Sequence, residues 1–235
     1  MNDLLATAVA AHGGLDRWNR VRAIRVEATI TGAFWLVKGK SDAMKEVSFE
    51  VDTSRERLTM DYAGRNLRSI FEPGRVVLQH PDGTVLDARD DPERSFDGHR
   101  FQTPWDDLHL AYFTGEALWT YLTAPFLFTW PGFACEEIAP IEAGGETWRR
   151  LKVTFPDHIK SHSREQVFCF GPDGLLRRHD FTIDIVDPDT EAQLNADGYR
   201  DVDGIVIPAT RRAYTTTGED RTVLVAIDMT DIGLR

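Results

Sequence analysis

Residues 117–135 read ALWTYLTAPFLFTWPGFAC, a continuous stretch without one charged side chain. Such a stretch has few places to go. It approaches the roughly 20 residues that span a bilayer, but Pro125 and Pro131-Gly132 would strand backbone polar groups in hydrocarbon, where nothing satisfies them. Thr120, Thr123 and Thr129 dilute its hydrophobicity further. An integral membrane segment is therefore not expected, and the stretch has to be buried within the protein. Two forms of burial stay open: a helix and loop packed against a sheet, or a lid whose aromatics line an apolar pocket.

The flanking residues say what it packs on. From Ala23 the pattern has period two: Ile24, Val26, Ala28 and Ile30 alternate with Arg25, Glu27, Thr29 and Thr31, as in a strand with one wet face. Strand-like runs follow at 46–52, 57–62, 67–72, 76–80 and 85–88, with turn chemistry at Pro73-Gly74 and Asp82-Gly83. After the uncharged stretch come runs at 148–155, 165–170 and 175–184, the last two flanking Gly171-Pro172-Asp173-Gly174. Runs at 199–202 and 205–207 flank Asp203-Gly204, and 209–215 and 222–227 close the chain. Short runs joined by turns predict an antiparallel meander. Helical spacing occurs twice. Leu4, Leu5, Ala8 and Ala11 precede a break at Gly13-Gly14, and Leu15, Trp18 and Val21 resume it. In mid-chain, beyond a polar loop at 89–102, Thr103 is the expected N-cap and Pro104 the first helical residue. Trp105, Leu108, Tyr112, Gly115, Trp119 and Leu122 would then share one face, with the end before Pro125. No repeat or linker interrupts the chain, so a single domain over 1–235 is expected, a usual length for one β unit.

Composition narrows the partners. With 27 Lys+Arg against 38 Asp+Glu the net charge is −11, which argues against nucleic acid or an anionic membrane surface as the main partner. Asp3 stands where a secretory signal carries positive charge, and the apolar run at 4–11 is short, so a cytoplasmic location is expected. Cys135 and Cys169 lack redox spacing and are expected to be buried, reduced thiols.

Catalytic and cofactor signatures such as G-x-S-x-G, H-E-x-x-H and phosphate-binding glycine loops are absent. No cofactor is implied. Asp187-Pro188-Asp189-Thr190-Glu191 begins like a calcium loop, but Ala192 stands where that loop needs glycine, and a solvated turn is expected. Histidines are the remaining candidates. Pairing strands about Gly171–Gly174 places His162, Gln166, Phe168 and Phe170 on one face with Leu175, His179, Phe181 and Ile183, and sets His179 opposite Gln166. His162 then lies roughly 13 Å from His179, too far to share a zinc ion, and a His158/His162 pair needs residues 157–161 to coil. No metal site is expected. Arg164 and Arg177 fall on the same face, where an anionic head group could meet them.

Helix, strands, mid-chain helix and strands again, in that order, resemble the LolA/LolB-like lipoprotein-carrier superfamily. His12-Gly13-Gly14 before Trp18, and the hairpin from Tyr199 through Asp203-Gly204 to Pro208, look similar to relatives of that group. The resemblance implies a mainly β (α+β) fold: a strongly curved antiparallel sheet, or incomplete barrel, with an N-terminal helix and a mid-chain lid helix around a cavity for a hydrophobic guest. The expected function is binding of an apolar or amphipathic, lipid-like small molecule. Trp35, Tyr112, Trp119, Phe168 and Phe181 would supply walls, Gln166, His179 and His162 polar handles, and His109 a group on the lid side. Two alternatives stay open. One is a histidine-dependent hydrolase, although Asp180 beside His179 in a strand points to the opposite face. The other is a protein-interaction module using a sheet edge or the acidic surface.

Overall fold

A computed structural model describes residues 2–214 and 222–235. The chain opens with helices α1 (Asp3–Ala11) and α2 (Leu15–Trp18), strand β1 (Ala23–Thr31) and the short helix α3 (Ala33–Val37). A meander follows: β2 (Val47–Asp52), β3 (Leu58–Tyr62), β4 (Leu67–Glu72), β5 (Arg75–Gln79) and β6 (Val85–Asp90). Helix α4 (Asp107–Thr123) leads into a second meander: β7 (Ala134–Ala143), β8 (Glu146–Thr154), β9 (Glu165–Phe170) and β10 (Leu176–Ile183). It ends with β11 (Asp187–Val202), β12 (Ile205–Tyr214) and β13 (Val223–Leu234).

All of these strands form one 13-stranded sheet in the order β6-β5-β4-β3-β2-β1-β13-β12-β11-β10-β9-β8-β7, antiparallel throughout. The two meanders are joined where β1 pairs with β13, and the sheet stays open, with β6 and β7 as its edges. The curved, mainly β architecture expected from the sequence is therefore present. Burial alternates along β1, with Ile24, Val26, Ala28 and Ile30 inward, as period two requires.

Helix α4 connects the two edge strands and crosses the concave side between them. Every residue from Leu110 to Thr123 is buried, so the helix fills the sheet's interior and shows no wet face. Helices that are apolar all round belong in such surroundings. Thr114 and Thr123 meet them by donating their hydroxyls to the carbonyls of Leu110 and Trp119, each 2.8 Å away. The helix begins later than Thr103-Pro104 suggests. Asp106 is the N-cap, its carboxylate accepting the His109 N–H while the His109 ring accepts the Asp106 N–H. Thr103 instead accepts the Arg100 N–H.

Several boundaries differ from the sequence reading for local reasons. Residues 187–191 begin β11 and do not form a solvated turn, because Thr182 pairs with Glu191 across the ladder. β7 starts at Ala134, and β13 runs on to Leu234 because β1 offers a partner along its length. Within the polar loop, 3-10 residues Pro92–Phe96 bury Pro92 and Phe96. Thr215 lies outside the described residues. Between β9 and β10, His179 is opposite Phe168, not Gln166. The longer connection and a bulge between Leu176 and Arg178 together add two residues, so parity survives and Leu176 takes the inward place expected of Leu175.

The two quoted motifs dock on each other. Gly13 has φ +118°, and a Cβ there would lie 2.1 Å from the Gly204 carbonyl oxygen. The His12 carbonyl accepts the Val206 N–H at 3.1 Å, and Arg17 Nε donates to the Asp203 carbonyl at 2.6 Å. The glycine break thus seats the first helices on the β11–β12 turn.

Gly115 marks the closest approach of α4 to the sheet: a Cβ there would sit 2.2 Å from the Phe71 ring. Gly115→Ala is expected to lower stability by about 1–2 kcal/mol net, because overpacking at so short a contact costs up to about 3 kcal/mol against a gain of about 1 kcal/mol in helix propensity. A urea midpoint equal to or above wild type would contradict this packing.

Candidate functional site

Helix α4, helix α3 and the concave side of β10–β13 enclose a crevice of about 70 Å³. Helix α4 contributes Phe113, Thr114, Ala117, Leu118 and Tyr121, a stripe at helical spacing drawn largely from the uncharged stretch. Gly32, with φ +128° and a Cβ position only 2.2 Å from the Leu224 carbonyl oxygen, lets β1 turn sharply into α3. Phe34 and Trp35 then face the crevice, while Leu36 is 69% exposed. Phe181, Ile183, Ala192, Leu194 and Ala213 form the sheet wall.

Lys38 fixes the neighbouring wall. Its ammonium is buried, donates to the Phe101 carbonyl at 2.7 Å and lies over the rings of Phe34, Phe101 and Trp105. Carbonyls and π faces replace a carboxylate here, and desolvation lowers its pKa to about 8.

Behind the apolar lining runs a string of buried polar groups. His162 Nδ1 is 3.1 Å from Glu116 Oε1, and its Nε2 is 2.9 Å from the Tyr121 hydroxyl. Burial holds the Glu116 carboxyl well above its ordinary range and lowers the His162 imidazole to about 3. The pair is therefore uncharged, with one proton shared between Glu116 and Nδ1 and another between Nε2 and the Tyr121 hydroxyl. Gln166 donates its amide N–H groups to the Ser163 carbonyl and the Ser161 hydroxyl, which leaves its oxygen to accept from His179 Nε2–H at 2.6 Å. His179 stacks on Phe168 at 4.1 Å, and desolvation keeps it neutral. Arg211 closes the string, donating through Nη2 to the Tyr121 carbonyl at 2.7 Å.

Of the residues singled out from the sequence, Trp35, His162 and Phe181 line the crevice. Gln166, Phe168 and His179 stand directly behind it: the His179 and His162 rings both lie 4.5 Å from Phe181. The two imidazoles are closer than the 13 Å expected, because β9 begins only at Glu165 and the preceding loop folds His162 back onto Glu116 and Tyr121. Tyr112, Trp119 and His109 lie elsewhere. Tyr112 packs on Phe71 and Phe96, and Trp119 Nε1 donates to the Asp52 and Arg55 carbonyls. His109 packs on Phe96 within hydrogen-bonding distance of the Ser95 carbonyl. These three sit on other faces of α4, which is buried all round. Neither Arg164 nor Arg177 meets the crevice: Arg164 pairs with Asp157 at the surface, and Arg177 with Asp173 and Glu146. Asp180 pairs with Arg178 on the face opposite His179. Cys169 is buried and Cys135 half-buried, both as free thiols.

Glu116, Arg211 and Lys38 escaped the sequence reading, although each left a signal. Arg211 keeps strict alternation with Ile205, Ile207, Ala209 and Ala213, all inward. Glu116 is the last charge before the uncharged stretch, and Lys38 follows the apolar run of α3.

No protein-family model matches the chain, and comparison with curated sequences gives no match. Solved structures do match in shape. A DUF1329 family protein from Desulfovibrio piger aligns with TM-score 0.58 and 12% identity over 98% of this chain and 91% of its own. A putative outer membrane lipoprotein-sorting protein domain from Vibrio parahaemolyticus gives 0.58 and 10%, covering 99% and 91%. A LolA superfamily protein from Nitrosomonas europaea gives 0.54 and 9%, covering 98% and 92%. The fold is LolA-like. At these identities the likeness concerns architecture alone, over nearly the whole chain. Among the described residues no helix is long and apolar enough to cross a membrane, and no group of three or more His, Cys, Asp or Glu is placed to hold a metal ion.

The neutral His162 carries a pH signature. Burial lowers its folded pKa to about 3, below the ordinary histidine value of about 6.5. Its contribution to stability is therefore complete above pH 6.5 and is lost as pH falls towards 3. His162→Gln should flatten the stability–pH curve across that window by about 1.4 kcal/mol per pH unit relative to wild type. Parallel curves from denaturant titrations at pH 4.5 to 7 would show that His162 is already charged in the fold.

Proposed function

We propose that this LolA-like chain binds a hydrophobic or amphipathic, lipid-like small molecule between α4 and the concave side of β10–β13. The observation that carries the reading is the crevice itself, an apolar slot walled by Phe34, Trp35, Phe113 and Phe181 inside a curved sheet, with His162 and Tyr121 as polar points. Ligand sites combine apolar walls with a few oriented polar groups in this way. The Vibrio parahaemolyticus neighbour, described as a lipoprotein-sorting protein domain, gives the reading a precedent of shape.

Size sets a condition. A crevice of about 70 Å³ is smaller than the roughly 300–1,000 Å³ of ordinary ligand pockets, so a guest enters only as the walls part. The side formed by α3 suits such movement, being five residues long and presenting Leu36 to solvent.

Binding of a fluorescent acyl probe to delipidated protein, with native mass spectrometry of gently purified material, tests the reading. Ala192→Trp, which fills the slot from a half-buried wall position, should weaken probe binding by about tenfold or more, the equivalent of about 1.4 kcal/mol, with the fold intact by circular dichroism. Unchanged affinity in that variant, or no binding by wild type, would remove the crevice from consideration.

A further inference from the structure

We propose that the buried guanidinium of Arg211 receives the anionic, carboxylate-class head group of an amphiphile whose apolar tail occupies the crevice; this rests on the binding function proposed above. Arg211 is 1% exposed, and its Nε and Nη1 have no hydrogen-bond partner among the described residues. Nη2 alone is engaged, by the Tyr121 carbonyl, and the guanidinium carbon lies 5.0 Å from the Tyr121 ring centre. No carboxylate among the described residues forms an ion pair with it. An arginine buried without an anion is costly, and guanidinium groups match carboxylates through paired N–H donors.

Among the described residues the surroundings of Arg211 offer it no paired carboxylate. Glu116 is held protonated by burial, so it supplies no negative charge. His12 and His179 are close enough that the Arg211 charge helps to depress both, after the larger effect of desolvation. Each imidazole has one nitrogen without a partner: Nε2 of His12 and Nδ1 of His179. Three residues distant in sequence thus bury polar atoms that have no partner among the described residues.

Position ties this group to the crevice. Ala213 lines it, and Arg211 lies two residues along β12 on the same inward face, about 7 Å deeper. Across the ladder, Leu194 opposite Ala213 lines the crevice, and Ala196 stands opposite Arg211. Tyr121 belongs to both places, its ring at the crevice wall and its carbonyl on Arg211. A chain lying along the slot would therefore present its terminal group to the guanidinium.

The test compares parinaric acid, a fluorescent fatty acid, with the alcohol of the same chain, at pH 8 where the acid is ionised. Wild type is expected to bind the acid about tenfold or more tightly than the alcohol. In Arg211→Met that ratio should fall to about one, and in Arg211→Lys, which keeps the charge but not the fork, to an intermediate value. Equal affinities for acid and alcohol in wild type would overturn the head-group assignment while leaving the crevice as a binding site. A preference for the acid that survives in Arg211→Met would overturn it as well. Failure of wild type to bind either probe would overturn both readings. Should Arg211→Met fail to fold, the wild-type ratio and the lysine variant still decide.

Discussion

The structure depends on one connection. Strands β6 and β7 are the two edges of the same sheet, and α4 is part of the chain that joins them. The path between opposite edges of a curved sheet runs across its hollow, and a helix of 17 residues, about 25 Å long, fills that hollow. The sheet wraps the helix, and the helix must be acceptable to apolar neighbours on every side. An uncharged stretch is what that position demands. Thr114 and Thr123 return their hydroxyls to the helix backbone, and Gly115 lets one flank come within contact of Phe71.

Much of this was legible. The alternation in β1 and the turn residues between β4 and β5 located strands closely, because a half-buried antiparallel strand writes its two faces directly into the sequence. β11 was mostly missed, since its polar early residues resemble a turn and are held in the ladder by partners in β10 and β12. The stripe of α4 that faces the crevice was missed for a different reason. Sequence spacing identifies an apolar face only when another face is polar, and α4 has none. Choosing Tyr112 and Trp119 over Phe113, Ala117 and Tyr121 was a choice among equals. Phe181 was found because the period of two carried its parity through a bulge, whereas His162 reaches the crevice through the loop before β9 and not through strand parity.

The interior resolves its ionisable groups in two ways. Glu116, His12, His162 and His179 give up their charge, through desolvation, to neutral hydrogen-bonded forms. Lys38 and Arg211 are held by carbonyl oxygens and aromatic faces in place of carboxylates. The negative net charge therefore resides on the outside, while the cations among these buried groups adjoin residues that line the crevice, Lys38 beside Phe34 and Phe101 and Arg211 beside Tyr121. Surface acidity and interior basicity coexist in one small protein, a separation that the overall composition conceals.

The pairing of β1 with β13 has a consequence for how the molecule comes into being. During synthesis β1 finds β2 soon after both are made, but its other side waits until residues 223–234 have followed. Until then the nascent sheet presents a bare, partly apolar strand edge, the kind of template on which other chains assemble. The alternating Arg25, Glu27 and Thr29 along that strand place charge and polarity beside the unpaired edge until residues 223–234 arrive to cover it.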